Sequence, residues 1–86
     1  MGFSIDTLPS SSFIKEFAAQ YNQIPVGFIK QCDEYFIGND NKEFYRGLIT
    51  GYANAHNLVR QMDPNAQSKN SLGYLICYVA KKYLEL

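Results

Sequence analysis

"FYRGLITGYANAHNLV", residues 44–59, decides the fold. Phe44, Leu48, Tyr52, Ala55, Val59 and Met62 recur in steps of four and three residues, the spacing of one face of an α-helix. Asp40 and Glu43 stand at capping-box spacing before this row, with Asp in place of Ser or Thr. Asp63-Pro64-Asn65 stops it. Inside the helix, Gly47 and Gly51 make a G-x-x-x-G, and Ala55 follows four residues later. In a membrane span this pattern reads as a dimerisation face, but Arg46, Asn54, His56 and Asn57 rule out a span here. Each glycine inside a helix costs about 1 kcal/mol against Ala. A helix that keeps two of them is expected to gain contacts that Ala would block. Gly47, Gly51 and Ala55 are therefore expected to form a groove. It would receive either the neighbouring second or fourth helix or a second copy of the chain, as a homodimer. Gly51→Leu should then destabilise the fold or split the dimer.

Outward from this helix, the rest of the chain reads as three more. Residues 1–10 are an extended lead-in, and Pro9 with Ser10-Ser11-Ser12 offers capping hydroxyls. Phe13, Ile14, Phe17, Ala18 and Tyr21 give a short helix over about 11–21. Pro25 is well placed to open a second helix over about 25–36, with Ile29, Cys32 and Phe36 on its buried face and Val26 and Phe28 beside it. Gly38-Asn39 suits a left-handed cap after it. After a polar loop, Ser68 or Ser71 can cap a fourth helix whose stripe is Leu72, Leu75, Ile76, Val79, Ala80 and Tyr83. No segment alternates with period two over strand length. The expected architecture is one all-α domain over residues 1–86, a small four-helix bundle.

Composition narrows the partners. Eight basic and eight acidic residues give a formal net charge of zero, against nucleic acid as a partner, since phosphate binding needs a positive field. No run approaches the ~18 apolar residues of a membrane span, and no signal peptide is read at the start of the chain. The two cysteines, Cys32 and Cys77, fall on apolar helix faces, where free buried thiols are common. Their count equally permits one disulfide. Two cysteines and a single histidine cannot make the four-ligand Cys/His set of a structural zinc site, and no metal or other cofactor is expected. His56 would have to serve any Ser-His-Asp or Cys-His set. It lies off the Phe44–Val59 row and is expected to be solvated or partly packed. With no phosphate-binding glycine loop either, an enzyme is not expected.

Protein binding remains. Seven tyrosines are an excess for 86 residues. Tyr35, Tyr45, Tyr74 and Tyr78 lie off the assigned stripes, where exposed rings would offer rigid amphipathic contact area to a partner. Packing at the core margin, with hydroxyls in water, accounts for them equally well. The polar loop supplies Asn65, Gln67, Ser68, Lys69 and Asn70 as hydrogen-bonding groups for a partner's cleft, with Pro64 limiting the entropy lost on docking. Tyr45 and His56 are the candidate contacts on the glycine helix.

"FYRGLITGYANA", followed by a Pro-containing loop and "LGYLICYVAKKYLEL", resembles the small helical immunity proteins that protect bacteria from type VI secretion cell-wall amidase effectors. The similarity covers about residues 28–86, with Cys32 in "FIKQCDEYF" where that family often has a cysteine. It implies a periplasmic homodimer that plugs the amidase active site with a loop. "QIPVGFIKQ" is similar to part of the small periplasmic acid-stress chaperones, whose switchable surface contrasts with the 19% charged residues here. Read without either family, the chain is a small cytosolic inhibitor or adaptor, for example phage-encoded, that blocks a protein partner by surface contact.

Overall fold

The computed structural model describes residues 8–62 and 71–86, and among them the chain is all-α, with four α-helices and no strand. Ser10 sets the first start: its Oγ accepts the Phe13 N–H at 3.2 Å, and α1 runs Ser11–Ala19. A single 3-10 turn, Tyr21–Gln23, carries the chain to Pro25, whose fixed φ precedes α2, Val26–Tyr35. Gly38 ends the following turn with φ +83°, a conformation that L side chains rarely adopt, as its sequence position suggested. The Asn41 carboxamide oxygen accepts the Glu43 N–H at 2.8 Å at the start of α3, Lys42–Met62. The capping side chain is thus Asn41, one residue after the expected Asp40. α4 spans Ser71–Glu85.

α4 is the hub. Gly73 and the run Ile76–Ala80 are buried on every side of its middle turns, the pattern of a helix surrounded by others rather than lying on a surface. α1 and α3 pack along it, and the 3-10 turn and α2 touch it more briefly. No Cα of α2 comes within 8 Å of one in α3, and α1 and α3 are equally separate. The core around α4 takes Ile14 from α1, Ile24 from the turn before α2, Cys32 and Phe36, and Tyr45 and Ile49 from α3. Cys32 and Cys77 are both buried and both free, so no bridge joins them.

α3 is turned by one residue from the expected orientation. Its buried positions are Tyr45, Ile49, Ala53 and His56. The row read from the sequence lies about 100° away round the helix: Leu48 and Tyr52 are half-buried, while Phe44, Ala55 and Met62 are exposed. The glycine groove is corrected with it. Gly47, Gly51 and Ala55 face outward, and a Cβ added at either glycine would meet nothing within 4 Å. Neither the second nor the fourth helix fills that groove, because α4 covers the next row.

Candidate functional site

Two rows with four-residue steps run side by side on α3, and α4 has room for one. It covers Tyr45–Ile49–Ala53, flanked by Thr50, a buried hydroxyl that donates to the Arg46 carbonyl at 2.9 Å. Three faces result. One is buried. One is polar and holds Glu43, Arg46, Asn54 and Asn57. The third holds Phe44, Leu48, Gly51, Ala55, Leu58 and Met62, in steps of 4-3-4-3-4. That is the spacing by which one helix offers a seam to another. Leu48 packs at the margin of the core and the Phe44 ring meets Phe36 at 6.1 Å, but towards its C-terminal end the seam stands open among the described residues: Leu58 is 56% exposed and Met62 77%. The 4-3-4-3-4 signal is present in the sequence; the row read there holds Tyr52 and Val59 where this face has Gly51 and Leu58.

Beside the seam, α2 and α3 lean on α4 and not on each other, and a pocket of about 280 Å³ opens between them. Phe28, Gln31, Cys32 and Tyr35 form its α2 wall. Tyr52 forms the opposite wall, and Leu75 of α4 and Phe36 close the base. Burial pushes the Cys32 thiol up from its ordinary pKa, with the Asp33 charge adding to it, so it is no ready nucleophile. Burial likewise raises the Tyr52 phenol. Among the described residues, no three His, Cys, Asp or Glu side chains gather where they could hold a metal ion. No described helix is long and apolar enough to cross a membrane.

The two described contact candidates, Tyr45 and His56, are both buried. Tyr45 is 2% exposed, ringed by Phe36 and Phe44 at centroid distances of 6.0 and 5.3 Å. His56 is buried edge-on to Phe17 at 5.8 Å, not solvated. Both occupy the row that α4 covers, so in this chain they are core residues and not surface contacts. Tyr78 is also interior, and Tyr74 is half-buried against Phe28. Tyr35 alone of the four off-stripe tyrosines stands well exposed, at 80%. Asn65, Gln67, Ser68, Lys69 and Asn70 lie outside the described residues. No family model matches the chain, and no curated protein and no solved structure matches it.

Proposed function

We propose that this chain is a protein-binding domain that works by contact, blocking its partner with no chemistry of its own. The observation that carries the reading is the seam of α3, exposed among the described residues at Gly51, Ala55, Leu58 and Met62. A surface helix of a self-sufficient domain turns a polar face to water. α3 does so over Arg46, Asn54 and Asn57 and then shows a second apolar face with helix-pairing spacing. Contiguous exposed apolar surface of this kind marks interaction sites. The small residues at 51 and 55 let a partner helix approach closely between the larger side chains at 44, 48, 58 and 62.

The resemblance to immunity proteins supplies the first partner to try, a peptidoglycan amidase effector. The two free, buried thiols favour the other reading, an inhibitor or adaptor in a reducing compartment, because small domains in oxidising compartments commonly bridge their cysteines. A homodimer through the same seam is the self-partnered version. One experiment serves all three. Leu58→Asp with Met62→Asp places two charges on the seam at exposed positions. Partner affinity by calorimetry, or dimer affinity by light scattering, is expected to fall by about 2 kcal/mol or more, roughly thirtyfold, with the melting temperature unchanged. Undiminished affinity would remove the seam from the interface. Turnover of peptidoglycan fragments by the isolated protein would overturn the non-enzymatic reading.

A further inference from the structure

The α2–α3 pocket has a size, a polarity and a rim, and each limits what can enter. A cavity of about 150 Å³ suffices for one benzene ring, whereas pockets for drug-sized ligands run from about 300 to 1,000 Å³. At about 280 Å³ this one has room for a single ring system, one or two rings, and not for a nucleotide cofactor. No residue of its lining carries a formal charge at neutral pH. A carboxylate or ammonium group would therefore enter without a counter-ion and lose its hydration. The walls are mostly aromatic, and rings meet rings favourably edge-on or offset. Among the lining side chains, the Gln31 carboxamide and the Tyr35 and Tyr52 hydroxyls are the groups able to meet one polar group such as an indole N–H.

The rim separates a free ring from one attached to a backbone. On α2, one step round the helix from Gln31 stands Gly27; on α3, the positions outward from Tyr52 are Ala55 and Gly51. Neither glycine has an atom within 4 Å of where a Cβ would stand. No side chain rises at these two positions beside the lining residues, and a helix lying along the α3 seam would pass over Gly51. We propose that this pocket anchors one uncharged aromatic side chain, an indole or phenyl ring, presented by a helical segment of the partner protein. The inference rests on the protein-binding reading and adds the chemistry of the residue that reaches inside.

Nitrogen-edited NMR of the intact chain tests it with three probes: indole, N-acetyltryptophanamide and indole-3-acetate. Indole and N-acetyltryptophanamide are expected to shift the Gln31 side-chain amide and the Tyr52 and Leu75 backbone amides saturably. The carboxylate of indole-3-acetate should weaken binding about tenfold or more. Gln31→Trp places a ring from an exposed position across the opening and should abolish the saturable shifts with the fold intact. Tyr35→Ala, also at an exposed position, removes one aromatic wall and should weaken them severalfold. Saturation by indole but not by N-acetyltryptophanamide would mean a site for free rings, and would overturn the anchor. Non-saturating shifts, or equal binding of the carboxylate, would overturn it as well. No protein partner is used, so these failures leave the seam of α3 to its own test.

Discussion

Tyr78 is 1% exposed and sits in the middle of α4, where a hydroxyl needs an acceptor. It donates to the Asp33 carboxylate at 2.6 Å, joining α4 to the outer side of α2. Asp33→Ala leaves that hydroxyl buried without its acceptor, at an expected cost of about 1–3 kcal/mol. Tyr78→Phe removes the donor and returns an exposed carboxylate to water, so about 0.5–1.5 kcal/mol is expected. Urea unfolding of both variants checks the order, and a costlier Tyr78→Phe would show that water reaches the hydroxyl. The same contact sets a response to pH. Burial first, then the bond to Asp33, holds the Tyr78 phenol far above its ordinary 10.0. A raised pKa in the folded chain means full stability below the unfolded value, near pH 10, lost as pH rises beyond it. Tyr78→Phe should flatten that alkaline loss. Tyr21, Tyr45 and Tyr52 and the two thiols, all raised chiefly by burial, contribute to the remainder. Nothing in the sequence pointed to this pair, because 45 residues separate its members and no local pattern links them.

At the scale of elements, helix limits were legible and helix rotation was not. Ser10, Pro25 and Gly38 each act on the backbone within a few residues, so their effects can be read in place. Periodicity likewise identified α3 as a helix. It could not say which of two adjacent rows α4 would cover, since both Phe44–Leu48–Tyr52 and Tyr45–Ile49–Ala53 have the required spacing. The choice is tertiary, and Tyr45 and His56 were misplaced for that one reason. The glycines carry the consequence. With open space at both Cβ positions, Gly51→Ala and Gly47→Ala should each stabilise the isolated chain by about 0.8–1 kcal/mol through helix propensity alone. That is a rise of about 4–8 °C per kcal/mol for a domain of this size, read by thermal unfolding. The expectation that Gly51→Leu destabilises the fold is withdrawn on the same grounds, while its effect on a dimer belongs to the test of the seam. A lower melting temperature for Gly51→Ala would restore the packed groove.

Across the whole molecule, stability concentrates on one helix. α1 and α3 pack along α4 and meet each other only through side chains, as where Phe17 lies edge-on to His56, and α2 adds a lighter contact. Ile76 has no exposed surface and belongs to this shared centre. Ile76→Ala should cost about 2–5 kcal/mol, a large part of the roughly 5–15 kcal/mol that holds a domain folded. Ile37→Ala, at a side chain 79% exposed, should stay within about 0.5 kcal/mol. Equal losses in urea unfolding would disperse the hub. The apolar richness of residues 72–80 was visible in the sequence, but a stripe was read where the helix is buried all round.

The position of that hub in the chain bears on synthesis. Ribosomes add about 5–20 residues per second, and a nascent chain folds as far as its emerged contacts allow. α1 leaves the tunnel well before its packing surface on α4, which lies about sixty residues downstream. Until then α1, α2 and α3 have little of one another to pack against. Their apolar sides are expected to stay unpacked for about the seconds this takes, a long wait for a small helical domain, whose kind ordinarily closes through local contacts.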